Sequence, residues 1–374
     1  MNADKEKKGF FNKHGRVRNI NLRKERSEGY IVPVADLATW LSEKTGKKVT
    51  FTESDVNTEF DYFGDIKISE KYVNRSSLKQ AGLPGSKKDK KVARQSKLVE
   101  NQFRFHIDTS HLSKNMHNIN PDDLISITNK LHGTSFIVGN VLCKKPLKWY
   151  EKLLIKFGVP VVDTHYDILY SSRKVIKNQY NDNPNSQHFY GYDLWKDISD
   201  ILKPFITEGI TIYGEAVGYT KAGGYIQAAK GGVGYDYGCA PGEFKLYIYR
   251  ITSTNYSGKV IEFSAKQVKD YCAKFGLNYV PEFYYGYAKD LFDLPVENHW
   301  QENFLQKLSD TYLEKDCDIC VNKVPAEGIV LRKETLDIDV YKHKSFRFKM
   351  QESELLDSGD VDLETQESET GTEA

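Results

Sequence analysis

Hydrophobic and polar positions alternate with two different periods along this chain, and each period predicts a different element. Residues 123–129 and 136–143 alternate at every second position, which predicts two β-strands with a tight turn between them. A capping box at residues 264–267 opens an apolar face with helical spacing, and residues 195–205 and 303–313 show the same spacing. Short strands with separate helices predict an α+β fold and not a wound parallel sheet.

Composition divides the chain into four parts. Residues 1–75 are basic, with short strand-like runs and a short helix candidate near residues 37–41. Residues 76–99 form a basic linker whose lysines could contact phosphates, although a solvated charge run is the commoner use of such a segment. Residues 100–350 hold the predicted core domain. Residues 351–374 are polar and acidic without an aromatic residue, and we expect them to be disordered.

The net charge of +1 conceals an uneven distribution of charge. All 53 basic residues lie before residue 350, whereas nine of the 52 acidic residues follow Lys349. Residues 1–350 therefore carry 53 positive charges against 43 negative ones, a net charge of +10. This excess suits a polyanionic partner, although excess charge also serves solubility.

The cysteines and the apolar runs indicate where the protein works. Five cysteines without disulfide spacing favour a reducing compartment. Cys317 and Cys320 suggest a zinc site, but no second pair accompanies them, so structural zinc is disfavoured. The sequence has no signal peptide and no apolar run of membrane length. We expect a monomeric cytoplasmic protein, of cellular or phage origin, that does not bind a membrane.

Residues 222–238 form a glycine-rich run. It opens no predicted helix, so a P-loop or a dinucleotide-binding fingerprint is disfavoured. We expect a mobile loop here, with a plain hairpin as the alternative.

Residues 130–135 are the strongest candidate for chemistry, because they place a lysine three positions before a glycine between the two predicted strands. A neutral lysine can attack phosphorus, and a glycine turn lets the phosphates of a nucleotide approach the backbone. In most six-residue segments of this kind, the lysine is an ordinary surface residue and the glycine belongs to a hairpin turn. Only partners elsewhere along the chain give Lys130 a catalytic role.

Such partners occur, in an order that resembles the covalent nucleotidyltransferases, the superfamily of ATP-dependent RNA and DNA ligases and mRNA capping enzymes. Residues 130–135 resemble motif I of the RNA ligase 2 branch, with Lys130 as the nucleophile. The other motifs follow in the family order over residues 170–349. The resemblance implies a nucleotide-binding set made of Lys130, His132, Gly133, Arg173, Glu215, Tyr249, Glu327, Arg347 and Lys349.

The resemblance also implies individual roles. Glu215 of motif III and Glu327 of motif IV would hold magnesium, or alternatively manganese, mostly through water molecules. Glu215 could equally bind the ribose hydroxyls, as the motif III residue does in the family. Tyr249 of motif IIIa would stack on adenine, with Tyr247 on the same strand face as its substitute. Singly, such residues are more often surface charges or core aromatics, but the shared order favours the functional interpretation.

Two residues depart from the family pattern. Arg250 stands where motif IIIa commonly has aspartate. Motif V usually reads Lys-x-Lys, and we expect it at residues 346–349, where Arg347 takes the first basic position. A guanidinium keeps the positive charge but presents it as a planar fork instead of a point charge.

One subgroup of the family, the Naegleria and Deinococcus type RNA ligases, places an OB-like domain before the nucleotidyltransferase domain. Residues 15–37 resemble the end of that domain, and residues 103–109 resemble the start of its catalytic domain. We therefore interpret residues 1–75 as a small OB-like module that is either reduced or lacks its natural beginning, because this length is short for a complete barrel. We expect no OB or helical domain after Lys349.

The resemblance implies an ATP-dependent RNA ligase that joins a 3′-hydroxyl to a 5′-phosphate through lysyl-AMP, in RNA repair. A DNA ligase and a GTP-using capping enzyme share this chemistry, but the His132 variant and the missing C-terminal OB domain argue against both. A non-catalytic RNA-binding or repair scaffold is an alternative of another class. It is disfavoured because Lys130, Glu215 and Glu327 are all present.

Overall fold

The computed structural model describes the following parts of the chain: residues 17, 19–22, 25–69, 97–180 and 190–358. The chain divides into two units, Met1–Gln80 and Ala81–Ala374. The boundary between them falls inside the predicted linker, most of which lies outside the described residues.

The first unit is built from short elements. Its described strands and helices are β1 (Ile20–Leu22), β2 (Glu25–Ser27), α1 (Val34–Thr45), a 3₁₀ turn (Glu53–Asp55), β3 (Tyr62–Phe63) and β4 (Ile66–Lys67). α1 follows Pro33 and ends at Gly46, which adopts the left-handed conformation that favours glycine. The described strands form two separate antiparallel pairs, β1 with β2 and β3 with β4. Part of this unit lies outside the described residues, so the small OB-like module stays a prediction.

The second unit contains two sheets. The larger sheet has β7 (Thr134–Lys144), β8 (Thr164–Ser171), β9 (Ile210–Gly218), β10 (Phe244–Thr254), β11 (Val260–Glu262) and β12 (Asn278–Tyr279). Its order is β11-β10-β9-β7-β8, with β12 parallel to β10. The smaller sheet has β5 (Ser110–His111), β6 (Leu124–Lys130), β13 (Glu282–Tyr287), β14 (Gly328–Lys333) and β15 (Asp339–Lys344). Its order is β13-β6-β14-β15-β5, and only the pairing of β15 with β5 is parallel.

Helices flank these sheets, which confirms the α+β prediction. They are α2 (Trp149–Lys156), α3 (Leu194–Leu202), α4 (Ala265–Phe275), α5 (Ala288–Leu291), α6 (Trp300–Tyr312) and α7 (Phe346–Ser358). Three-residue 3₁₀ turns lie at Leu112–Lys114, Met116–Asn118, Lys203–Phe205 and Lys230–Gly232.

The helix predictions hold where the local chemistry is strong. The amide of Ser264 donates to the Gln267 side chain at 2.8 Å, and the Gln267 amide donates to the Ser264 hydroxyl at 3.2 Å. This reciprocal pair begins α4, which ends at Gly276 with φ +66°. α3 ends at Leu202 and continues as a 3₁₀ turn, because Pro204 has no amide hydrogen to donate.

Four apolar clusters lie among the described residues of the second unit, and the last of them packs Leu98 against β7 and β8. One packs α3 and α4 against the larger sheet, and a second packs α6 against the smaller sheet. The third cluster includes Leu131, Tyr235, Tyr237, Cys317 and Phe348, and it surrounds the residues that follow Lys130.

Three parts of the chain differ from the predictions. Leu98 is buried and bridges Cys143, so the core begins inside the segment predicted as linker. Residues 351–358 continue α7, with Ser353 buried, so the helix extends into the segment predicted as a disordered tail, and residues 359–374 lie outside the described part. The glycine-rich run of residues 222–238 is not a free loop, because it forms bridges and buries several of its side chains against the third cluster.

α2 lies between β7 and β8 along the chain, and it exposes apolar side chains to solvent. Trp149 is 78% exposed and Phe157 is 74% exposed. No helix among the described residues has both the length and the apolar character that a membrane span requires.

Candidate active site

The strand register of the smaller sheet brings the charged residues together. Gly328, the first residue of β14, pairs with Lys130 on β6 and with Lys344 on β15. Glu327 immediately precedes Gly328, so a carboxylate lies between two lysines. Gly328 has φ +148°, and a Cβ there would lie 2.1 Å from the His343 carbonyl oxygen. Only glycine permits this close approach of the strands.

Glu327 is the centre of this charge cluster. Its Oε1 lies 2.7 Å from Lys130 Nζ and 3.3 Å from Lys344 Nζ. Burial raises the pKa of Glu327, but the positive charges of Lys130 and Lys344 outweigh burial and hold the pKa at about 2. Burial lowers the pKa of Lys344, but Glu327 and Glu352 outweigh it and raise the pKa above its ordinary value. Glu327 and Lys344 are therefore both charged at neutral pH.

The second oxygen of Glu327 has unused capacity. Glu327 Oε2 is buried and accepts no hydrogen bond from any described residue. The His132 ring nitrogen Nδ1 lies 3.9 Å from it, which is too long for a hydrogen bond. A buried carboxylate oxygen without a partner is costly, so this atom fits a ligand that arrives with positive charge.

Glu215 holds the turn that follows Lys130. Its Oε1 accepts from the Gly133 amide at 3.2 Å, and its Oε2 accepts from the Ser135 hydroxyl at 3.2 Å. A Cβ on Gly133 would lie 2.3 Å from the Ala216 carbonyl oxygen, so glycine is required here. The Gln227 side chain also donates to the Gly133 carbonyl at 2.7 Å. Glu215 therefore positions motif I, in addition to the metal or ribose role that remains a prediction.

His132 is held by the glycine-rich run, a partnership that the sequence did not suggest. Its amide donates to the Tyr237 hydroxyl at 2.7 Å. Its ring meets Tyr235 and Phe348 edge-on, with ring centres 4.9 and 4.8 Å apart. These contacts fix the backbone of His132 two residues beyond the candidate nucleophile.

A cavity of about 380 Å³ adjoins Lys130. Residues from both sheets line it, and among the predicted set they are Lys130, Arg173, Glu215 and Tyr249. Tyr249 lies at a β-bulge of β10, and its hydroxyl is 2.9 Å from His106 Nδ1. An aromatic ring with a few convergent polar groups in a cavity of this size suits a nucleotide.

Arg173 and Arg250 both lie at this cavity with carboxylate partners. Arg173 Nη2 lies 2.6 Å from Asp108 Oδ1, and this ion pair lowers the pKa of Asp108. Arg250 is buried, forms a two-point ion pair with Glu262 on β11, and stacks on Tyr213 at 4.2 Å. Arg250, which stands where the family commonly has aspartate, is thus paired with a carboxylate of the opposite charge in this chain.

Tyr247 is absent from the lining of this cavity, although both Tyr247 and Tyr249 pack against the third apolar cluster. Its role as a substitute for Tyr249 stays a prediction.

The structure places the residues predicted as motif V, 346–349, on α7. Arg347 lies on α7, is 46% exposed, and pairs with Asp316 at 2.6 Å. Lys349 lies two residues further along the same helix. Burial first, and then nearby charges that include Lys342 and Lys349, lower the pKa of His111. The lysines next to the nucleophile are Lys342 and Lys344, which form a literal Lys-x-Lys on β15.

Lys342 and Lys344 share one face of β15, because side chains two positions apart point the same way in a strand. Burial and then the charges of Lys130 and Lys344 lower the pKa of Lys342. The spacing was visible in the sequence. The register that sets Lys344 opposite Gly328 and Lys342 opposite Val330 was not.

The candidate metal residues do not form a complete cage. Among the described residues, no group of three His, Cys, Asp or Glu side chains comes together in a metal-binding arrangement. Glu215 and Glu327 instead contact consecutive residues of the motif I turn, Gly133 and His132. A magnesium ion bound by few carboxylates keeps water and phosphate oxygens as its other ligands.

Comparisons with known proteins agree with this geometry. The RNA ligase family model matches residues 123–350, more than half of the chain. No curated protein matches the sequence.

Solved structures show distant similarity. A Naegleria gruberi RNA ligase mutant with ATP and Mn is 14% identical, with a TM-score of 0.43, over 89% of this chain and 75% of that chain. An archaeal ATP-dependent RNA ligase is 11% identical, with a TM-score of 0.35, over 66% and 49%. A putative ATP-dependent DNA ligase from Aquifex aeolicus is 10% identical, with a TM-score of 0.37, over 79% and 71%. Since the family model spans the segment that carries Lys130, Glu215 and Glu327, the chain belongs to the RNA ligase family and is a ligase.

Proposed function

We propose that this ligase uses ATP to join a 3′-hydroxyl to a 5′-phosphate in RNA, through an AMP that is carried on Lys130. One observation carries the proposal above all others. Lys130 forms an ion-pair cluster with Glu327 and Lys344, and the same lysine lines a cavity of about 380 Å³ that presents Tyr249.

In the first step, Lys130 Nζ attacks the α-phosphorus of ATP. A nitrogen–phosphorus bond forms, the bond from the α-phosphorus to the bridging oxygen breaks, pyrophosphate leaves, and the amine loses a proton. That proton passes to solvent, because the charges of Lys130 and Lys344 lower the pKa of Glu327 and make this carboxylate a poor acceptor at neutral pH. Its role is to position Nζ, while Lys342 and Lys344 offer positive charge to the phosphates.

The nucleoside would occupy the cavity beside Lys130. Tyr249 would stack on the adenine, and its hydrogen bond to His106 fixes the plane of the ring. Arg173, oriented by Asp108, would contact the sugar or the phosphates. Glu215 keeps the Gly133 amide in place while the phosphates approach the turn.

A divalent metal, magnesium or manganese, fits the unpartnered Glu327 Oε2. When bound, it would supply positive charge that favours the neutral lysine and the leaving pyrophosphate. Glu215 is the second candidate ligand.

RNA enters in the later steps. The AMP passes from Lys130 to the RNA 5′-phosphate, and the 3′-hydroxyl then displaces it and closes the strand. The net charge of +10 over residues 1–350 supports binding to the phosphate backbone. The first unit and the linker would orient the strand. The five free cysteines favour a reducing compartment such as the cytoplasm. Work in RNA repair, as a monomer, is part of the same proposal.

The experiment is incubation with labelled ATP and magnesium, followed by acid denaturation. Wild-type protein should retain label, whereas Lys130→Ala and Lys130→Arg should not, since a guanidinium is effectively never deprotonated. Lys266→Ala, an exposed lysine of α4, is the matched control and should label normally. Label from GTP and not from ATP would favour the capping chemistry. RNA binding without any label would favour the scaffold.

A further inference from the structure

Cys317 and Cys320 lie on the loop that leads from α6 to Glu327. Cys317 is 7% exposed and belongs to the third apolar cluster, while Cys320 is partly exposed beside it. The loop is closed by the Cys317 amide, which donates to the Val324 carbonyl at 2.8 Å, and by a bridge between Asp316 and Pro325. Both thiols are therefore held in place.

Both thiols pack into the third apolar cluster, three residues apart on this closed loop. The neighbouring Cys320 thiol, together with the amides of Ile319 and Cys320, lowers the pKa of Cys317 to about 7 in spite of burial. Burial instead raises the pKa of Cys143 to about 11 and that of Cys272 to about 12. Cys317 thus has the thiolate character that reactive cysteines share.

This pair is connected to the turn after Lys130. Tyr237 packs with Cys317 and Cys320 in the third apolar cluster, and its hydroxyl accepts from the His132 amide at 2.7 Å. The neighbouring Asp236 carboxylate accepts from the amides of Val321 and Asn322 at 2.9 and 2.7 Å. One residue, Tyr237, therefore touches both the cysteine pair and motif I.

We propose that Cys317 and Cys320 are a reversible oxidation site, which hydrogen peroxide converts to a disulfide that slows the loading of AMP. The Cys317 sulfur attacks peroxide, the oxygen–oxygen bond breaks, and a sulfenic acid and one water result. The Cys320 thiol then attacks that sulfur and releases a second water. Two thiols are oxidised, one peroxide is reduced, and an external dithiol reverses the reaction.

The disulfide would disturb Tyr237. Two bonded sulfurs lie about 2.05 Å apart, well inside a hydrogen-bonding separation, so at least one sulfur must move. A shift of Tyr237 carries the His132 amide with it, and small displacements at a reacting centre have large effects on rate.

The test uses the full chain, treated with hydrogen peroxide, and has two readouts. Peptide mass spectrometry detects the disulfide between Cys317 and Cys320, and labelled ATP measures AMP loading, which rests on the proposed function. We expect the disulfide to form, loading to fall by about tenfold, and dithiothreitol to restore it.

Variants make the result specific. Cys320→Ser keeps a hydroxyl that can donate to Cys317, and it should load AMP normally and resist peroxide. Cys272→Ser, the matched control, should remain sensitive. Absence of the Cys317–Cys320 disulfide would overturn the proposal, and so would a disulfide that leaves the rate unchanged. The mass measurement stands even if AMP loading fails, so the two proposals fail separately. If Cys320→Ser unfolds, the wild-type disulfide and its effect on rate decide alone.

Discussion

Lys344 and Arg347 offer a direct comparison between the structural and the sequence placement of motif V. Replacement of Lys344 by methionine removes one of the two cations that contact Glu327 Oε1 and preserves most of the side-chain volume. The same replacement at Arg347 removes a cation that pairs with Asp316 at the surface. We expect Lys344→Met to lose most AMP loading and Arg347→Met to retain it.

The magnitude follows from the geometry at Lys344. A charge separation of 3.3 Å at an effective dielectric constant of about 20 gives a gross attraction of about 5 kcal/mol. Desolvation of both groups offsets part of it, and hydrogen bonds to charged groups contribute about 1.5–3 kcal/mol net. If that interaction is needed in the transition state, the rate falls by about 10- to 100-fold. An exposed pair such as Arg347 with Asp316 contributes about 0–1 kcal/mol.

The assay is single-turnover AMP loading from labelled ATP, measured beside thermal unfolding of each variant. Unfolding separates a damaged site from a damaged fold, because both variants should remain folded at the assay temperature. A normal rate for Lys344→Met combined with a collapse for Arg347→Met would refute the reasoning and restore the placement of motif V on α7.

Three further outcomes follow from the site and the units. Tyr249→Ala should weaken ATP binding by about 1–3 kcal/mol in equilibrium titration, whereas Tyr249→Phe, which loses only the bond to His106, should weaken it less. Glu327 has a folded pKa of about 2 against an ordinary 4.5, so its stabilisation is complete above pH 4.5 and lost as pH falls toward 2. In urea titrations, the difference in free energy of unfolding between wild type and Glu327→Gln should shrink by about 3 kcal/mol as the pH falls from 4.5 to 2. A difference that stays constant would contradict this prediction. Deletion of residues 1–80 should spare AMP loading but impair sealing of nicked RNA, whereas deletion of residues 359–374 should spare both; equal sealing by the first deletion would remove its orienting role.

Local chemistry explains what the sequence predicted well. The capping box at Ser264 and the stop at Gly276 define α4, because those signals act within a few residues. Lys130 and Gly133 were found for the same reason, since motif I is contiguous. The α+β class followed from the two hydrophobic periods.

Long-range pairing explains what the sequence could not supply. The lysines of β15 reach the nucleophile only because Lys344 and Lys130 both lie opposite Gly328 in the sheet. Tyr237 supports His132 from 105 residues away, and no local pattern announces such a bond. The acidic composition after Lys349 predicted disorder, but Glu352 pairs with Lys344 at 3.1 Å on a continuous helix.

The position of the AMP tests the central claim most directly. The full-length protein would be incubated with ATP and magnesium, digested, and analysed by peptide mass spectrometry under conditions that preserve the phosphoramidate bond. We expect AMP on the peptide that contains Lys130, attached to its side-chain nitrogen, and none after incubation of Lys130→Arg. AMP on any other residue, with Lys130 unmodified, would contradict the account.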